Sequence, residues 1–184
     1  MTGPQPLTAD ALRGLIRTIP DFPRPGVMFR DVTTLFSDAA GLHAAITGLA
    51  APWYDAGIAA VVGIEARGFI LGGAVADRLG AGFVPVRKQG KLPHAVLREA
   101  YSLEYGEAVM EVHADALGPG MRVLILDDLL ATGGTAAAAI RLCHRLGAEV
   151  AGCGFVVDLP DLGGHAALDA LGIPVEILCR FDGD

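Results

Sequence analysis

Short apolar runs of β-forming residues alternate along the chain with stretches of helical spacing. Thr8 can cap a first helix with Leu12, Leu15, Ile16 and Ile19 on one face, ending at Pro20. Residues 19–26 carry Pro20, Pro23 and Pro25 and read as a stiff, extended connector. A short run at 27–32 follows, and Ser37 or Asp38 then opens a helix bearing Leu42, Ile46, Leu49 and Trp53. Next come the repeated units. Residues 59–64 form a buried strand, followed by Glu65-Ala66-Arg67-Gly68 and a helix to about Leu79. Further strands are predicted at 83–86, 121–126, 150–157 and 175–178, with helices at 135–146 and 164–171. Strands that are apolar throughout and alternate with helices predict an α/β fold, a central, mostly parallel sheet flanked by helices on both faces. Residues 87–112 break the alternation. They are polar and glycine-bearing at first, then read as two short strands around Tyr105-Gly106, the pattern of a hairpin or mobile flap.

Composition narrows the picture. The 184 residues suit one domain, 1–184, with no repeat, low-complexity tract or splitting linker. Hydrophobic residues at 52% supply a sizeable core and exclude disorder. No apolar run approaches the roughly 18 residues of a membrane-spanning helix, so no membrane partner is expected. Residues 1–6 have neither a basic region nor a long apolar stretch, so no signal peptide is expected. Lys+Arg of 14 against Asp+Glu of 21 gives a net charge of -7, which disfavours a nucleic-acid partner. Cys143, Cys153 and Cys179 are scattered, with no CxxC pair, and read as reduced, buried thiols of a cytoplasmic protein.

The strongest chemical signal is Val123-Leu124-Ile125-Leu126-Asp127-Asp128-Leu129-Leu130-Ala131-Thr132-Gly133-Gly134-Thr135. Four apolar residues form a strand with two acids at its carboxyl end, where open α/β sheets bind ligands. A small-residue loop then opens an alanine-rich helix. Its unpaired N–H groups and dipole make a phosphate seat. Gly133 and Gly134 let the backbone approach the anion, and Thr132 and Thr135 add hydroxyl donors. Asp127 and Asp128 repel phosphate, so they require another partner: vicinal sugar hydroxyls, or the water shell of a magnesium ion. A phosphorylated ribose meets both demands. Neither a Walker A loop nor a GxGxxG fingerprint is present.

In this segment the chain resembles the type I phosphoribosyltransferases, whose diphosphoribose-binding signature has this form. The likeness extends over nearly the whole chain. Phe22-Pro23-Arg24-Pro25-Gly26-Val27-Met28-Phe29-Arg30-Asp31, Glu65-Ala66-Arg67-Gly68-Phe69, Val86-Arg87-Lys88-Gln89-Gly90-Lys91-Leu92-Pro93 and Tyr101-Ser102-Leu103-Glu104-Tyr105-Gly106 are similar to the adenine-using branch of that family. The resemblance implies a small N-terminal hood over 1–35 and a flexible flap over 87–112. It implies transfer of 5-phosphoribosyl from 5-phosphoribosyl diphosphate to adenine, giving AMP and diphosphate. It also implies magnesium carried by the diphosphate, and a homodimer in which the flap or basic loop reaches towards the neighbour's site.

The residues in the matching positions take roles by the same resemblance. Arg67 follows a strand on a tight turn and is expected to hold diphosphate, with Arg87, Lys88 and Lys91 completing the clamp at the base of the flap. Asp127, Asp128, Ala131, Thr132, Gly133, Gly134 and Thr135 would bind the phosphoribosyl part. Glu104, carried over the base as the flap closes, would accept a hydrogen bond from adenine and manage its proton. Glu104, Arg67 and Asp127 form the expected catalytic set. Met28, Phe29, Arg30 and Leu159 would read and cover adenine, although Arg30 beside Asp31 also suits a simple ion pair. Tyr105 either packs on substrate or shapes the turn. The histidines share no metal-ligand spacing, so no protein-built metal site is expected. Two other readings stand beside this one. An enzyme for xanthine, hypoxanthine or guanine would want a donor for the ring oxo group. A non-catalytic diphosphoribose sensor would want a DNA-reading domain, for which the chain has neither room nor a basic helix.

Overall fold

The computed structural model describes residues 7–102 and 107–183. Its centre is a seven-stranded sheet made of β3 (Ala60–Ile64), β4 (Gly82–Lys88), β5 (Val96–Ser102), β6 (Glu107–His113), β7 (Arg122–Leu130), β8 (Glu149–Asp158) and β9 (Val175–Arg180). The strand order is β5-β6-β4-β3-β7-β8-β9. From β4 to β9 every neighbouring pair is parallel, while β6 runs antiparallel to both β4 and β5. The expected α/β architecture is therefore present.

The uninterrupted apolar strands are explained by burial on both faces. In β3, Ala60, Val62 and Ile64 join one core, while Val61 joins the other. In β7, Val123 and Ile125 face the first core and Leu124 and Leu126 the second. Helix α5 (Gly134–Arg145) covers the first face with Ala138, Ala139, Ile140 and Leu142. The second face carries α1 (Ala9–Gly14), α3 (Ala39–Ala50) and α4 (Arg67–Leu79) through Leu12, Leu49, Leu71 and Val75. Asp38 opens α3 as its N-cap, accepting the Gly41 N–H at 2.7 Å. Among the described residues no helix is long and apolar enough to cross a membrane.

The N-terminal segment departs from the periodicity. The first helix stops at Gly14, and Ile19 lies in β1 (Arg17–Pro20), opposite Phe29 in the antiparallel β2 (Met28–Asp31). The reason is local. Thr34 Oγ1 accepts the Arg17 N–H at 3.1 Å and donates to the Leu15 carbonyl at 2.7 Å, which turns the chain before another helical turn can form. The proline-rich stretch is likewise no extended connector. Asp21 adopts φ 58°, its Oδ1 accepts the Gly26 N–H at 2.8 Å, and the chain folds back as a hairpin with a cis Phe22–Pro23 bond. A one-turn helix, α2 (Thr33–Ser37), follows without a periodic signal.

Two strands outrun their expected ends. β7 continues past both aspartates to Leu130 because Leu129 and Leu130 pair with Val157 and Asp158 of the long neighbour β8. β4 continues to Lys88 because Arg87 and Lys88 pair with Glu111 and Met110 of β6. The hairpin thus extends the main sheet. The short helix α6 (Gly164–Asp169) lies between β8 and β9.

Candidate active site

The sheet has a switch point at β3 and β7. The chain leaves β3 for β4 on one side, and leaves β7 for β8 on the other. Loops following the two strands diverge there and leave a crevice at the carboxyl ends. The crevice is a cavity of about 420 Å³. Glu65, Ala66 and Arg67 line it from the β3 side, where the Glu65–Ala66 peptide is cis. Residues 127–136 line it from the β7 side, and Lys88, Tyr101 and Met110 close it from the flap.

The loop expected to seat a phosphate leads straight into α5. Gly133 caps α5 with φ +80°, a conformation that side chains rarely adopt, and no side chain occupies the capping position. The first-turn N–H groups of α5 are thereby left to a ligand. The loop is pinned from behind by α6. A Cβ on Gly164 would stand 2.2 Å from the Ala131 carbonyl oxygen and 2.9 Å from the Gly133 nitrogen, so only glycine allows this approach. Ala131, Thr132, Gly133, Gly134 and Thr135 all line the cavity.

The two aspartates divide their work. Asp128 is buried, and its Oδ2 accepts Arg67 Nε at 2.5 Å. Asp127 lies against the cavity, with Oδ1 accepting the Asp128 N–H at 2.9 Å. Burial first, and the adjacent Asp128 carboxylate second, push the Asp127 carboxyl well above its ordinary range. Sugar hydroxyls donating to it, or a cation beside it, would favour the ionised form.

The basic residues are sorted by Glu65, which sequence reasoning passed over. Its carboxylate accepts Arg87 Nε at 3.3 Å and Arg87 Nη2 at 3.1 Å, and also the Lys88 N–H at 3.0 Å. The Arg87 bond leads in holding Glu65 below the usual carboxylate range. Arg87 further donates from Nη1 to the Lys91 carbonyl at 3.0 Å, folding the loop after β4. Lys88 lines the cavity, whereas Arg87 and Lys91 do not. Tyr101 was also missed; its signal is the alternation Leu97, Glu99, Tyr101 along a strand. Glu104 and Tyr105 lie outside the described residues.

The expected adenine set is less tightly gathered. Met28, Phe29, Arg30 and Leu159 do not line the 420 Å³ cavity. Phe29 is half-buried, with its ring centroid 5.8 Å from the Arg67 guanidinium carbon and 5.1 Å from the Phe22 ring in an edge contact. Arg30 turns into the N-terminal unit, donating to Thr18 Oγ1 at 2.8 Å and stacking 4.6 Å from the Phe181 centroid. Asp31 takes Arg17 and Thr33 instead. Leu159 is buried where β8 ends, its N–H bonded to the Leu130 carbonyl. Among the described residues no group of three or more His, Cys, Asp or Glu side chains is arranged to hold a metal ion.

Comparison with known proteins places the chain in a family. Residues 36–167 match the phosphoribosyl transferase domain. The chain is 62% identical over 173 residues to the adenine phosphoribosyltransferase of Jannaschia sp. (strain CCS1), covering 94% of this chain and 97% of that protein. It is 64% identical over 172 residues to the enzyme of that name from Paracoccus denitrificans (strain Pd 1222), covering 94% and 92% respectively. The crystal structure of adenine phosphoribosyltransferase from Rhodothermus marinus DSM 4252 superimposes with a TM-score of 0.89 at 51% identity, over 94% of this chain and 98% of that one. In sequence and in fold, the chain belongs to the adenine phosphoribosyltransferase family of phosphoribosyl transferases.

Proposed function

We propose that the protein transfers the 5-phosphoribosyl group of 5-phosphoribosyl diphosphate to adenine, releasing AMP and diphosphate, as a purine salvage enzyme. One observation carries this reading: Asp127 stands in the same cavity as the open N-terminus of α5. That pairing of acceptor and anion seat suits a sugar bearing both hydroxyls and a phosphate.

In this reading the 5-phosphate rests on the amides of residues 131–135 and the hydroxyls of Thr132 and Thr135. Asp127 accepts the ribose hydroxyls. The bond from the anomeric carbon to the diphosphate oxygen breaks, a bond to a ring nitrogen of adenine forms, and Glu104 takes up the proton leaving the base. Arg67 and Lys88 face the charge that develops on the diphosphate, within a cavity where such charges act strongly. Arg87 and Lys91 lie close enough to complete the clamp once Glu65 shares Arg87 with the ligand. Closure of the flap excludes water and limits hydrolysis of the activated sugar. Adenine lies towards Phe29, with Met28, Arg30 and Leu159 framing that side.

Magnesium carried by the diphosphate would supply neutralisation of the charge on the leaving group. The oxygen donors of the cavity, Asp127 and the two threonines, suit such an ion. We place the enzyme in the cytoplasm, where Cys143, Cys153 and Cys179, all buried, stay reduced. We also take it to act as a homodimer; full activity in a strict monomer by light scattering would contradict this.

Turnover across the free purine bases, with magnesium present and absent, tests the proposal. Magnesium-dependent AMP formation from adenine is expected. No turnover with any purine base would overturn the reading, and preference for hypoxanthine, guanine or xanthine would reassign the base. Glu104→Ala should lower kcat far more than it weakens binding of the sugar substrate.

A further inference from the structure

A single carboxylate ties the root of the flap to the helix that carries the phosphate seat. Glu99 stands in β5 opposite Met110 of β6. Its Oε1 accepts Arg141 Nε at 2.6 Å and its Oε2 accepts Arg145 Nη1 at 3.0 Å. Arg145 Nη1 also donates to the Arg98 carbonyl at 2.5 Å, so the helix grips both backbone and side chain of the strand. The Arg141 bond leads in holding Glu99 below the usual carboxylate range. Arg141 and Arg145 are one turn apart near the end of α5, the same helix whose first turn frames the cavity.

Strand alternation carries the connection onward. Leu97, Glu99 and Tyr101 share one face of β5. Leu97 and Tyr101 pack against the core beneath α5, and Tyr101 also lines the cavity. On the other side of the hairpin, Arg98 Nε donates to Glu111 Oε1 at 2.7 Å, and Glu111 Oε2 accepts the Gly90 N–H at 2.9 Å. Glu111 is fully buried, so this second bond ties the hairpin to the loop between Lys88 and Lys91.

We infer that Glu99 is a positioning residue: through Arg141 and Arg145 it latches the β5–β6 hairpin to α5, so that filling the loop at the start of α5 orders the hairpin and holds Tyr101 against the cavity. This rests on the reading above only in taking the α5 loop as the sugar phosphate's place. An isolated, exposed ion pair contributes little. Here one carboxylate, 19% exposed, takes two guanidinium groups and leaves each less free to move.

The full-length protein, a Glu99→Gln variant and a Glu149→Gln control decide the matter. Glu149 pairs with Arg122 at 3.5 Å at the far ends of β7 and β8, so its removal deletes an exposed ion pair remote from the flap. Amide hydrogen exchange of residues 96–101 and 108–113 is followed with and without magnesium 5-phosphoribosyl diphosphate, alongside kcat and both KM values. The sugar substrate should slow exchange in both flap strands of the unaltered protein and the control. In Glu99→Gln that protection should vanish while the substrate still binds within about two-fold, and kcat should fall at least about five-fold. Exchanging the charges, with Glu99→Arg and Arg141→Glu together, should recover part of both. The inference is overturned if Glu99→Gln keeps flap protection and kcat. It is equally overturned if exchange rises across the whole chain, which marks a general loss of stability. If the unaltered protein fails to use adenine while Glu99→Gln still abolishes substrate-induced protection, the latch stands and the assignment of the base falls.

Discussion

Arg67 and Asp128 join the two sides of the switch point, with Arg67 Nε donating to Asp128 Oδ2 at 2.5 Å. Arg67 leads α4 after β3, while Asp128 is buried in β7, so the bond closes the crevice floor. The cation expected to meet diphosphate is also the counter-charge of a buried acid.

Arg67→Ala should therefore damage the fold as well as catalysis. It leaves the Asp128 side chain, only 6% exposed, without its cation. Arg67 is itself 39% exposed, and solvent screening reduces the loss. About 2 kcal/mol is expected. The same substitution in an Asp128→Asn background should cost clearly less, and a double-mutant cycle by thermal denaturation measures the difference. Equal losses in both backgrounds would refute the coupling.

Asp127 should behave oppositely. Its folded-state carboxyl titrates above the unfolded one, so the fold holds the proton more tightly. Stability then falls as pH rises from the unfolded to the folded value, and ionisation strains the free protein above that window. Asp127→Asn should raise the Tm of the ligand-free protein near neutral pH by a few degrees, for about 1 kcal/mol gained. Turnover should be lost at the same time. Calorimetry at pH 4 and pH 8 separates the cases, since the gain should shrink at the lower pH.

Asp31 gives the reverse dependence in the N-terminal hairpin. Hydrogen bonds from Thr33 and then Arg17 hold its pKa down at about 2, against an ordinary value of 3.8. A depressed carboxylate stabilises the fold above its unfolded pKa and loses that contribution as pH falls towards 2. Asp31→Asn should cost roughly 1–2 kcal/mol at pH 7, with screening of the exposed Arg17 included. The difference from the unaltered chain should close progressively below pH 4. A constant difference across that range would contradict the assignment.

Gly164→Ala tests the support behind the phosphate seat. The new methyl would lie 2.2 Å from the Ala131 carbonyl oxygen, so α6 or the loop must move. A loss of about 2 kcal/mol is expected, in the range of overpacked sites. The KM for 5-phosphoribosyl diphosphate should rise while the KM for adenine changes little. Unchanged sugar affinity would mean that α6 does not hold the loop.

Much of the fold was legible because the strands at β3, β7 and β8 are apolar on both faces, and only a covered parallel sheet accommodates that. The Asp127 to Thr135 segment was legible because its chemistry is contiguous: acids, small residues and a helix start follow one another in the chain. The N-terminal hairpin was not, since Thr34 and Asp21 act through bonds to partners that no periodic pattern marks. Glu65 and Glu99 escaped for a similar reason. A carboxylate's value here depends on arginines 22 and 42 residues away for the closest bonds, and chain separation conceals such pairs.

By itself the sequence determined the sheet, the covered faces and the strand, loop and helix that carry Asp127 to Thr135, because those follow from short-range spacing and burial. Only the tertiary structure decided that Arg67 pairs with Asp128 rather than Asp127, and that Glu99 of β5 takes two arginines of α5. Those outcomes depend on distances of a few ångströms between groups far apart in the chain, where a charge is either paired or left to a ligand.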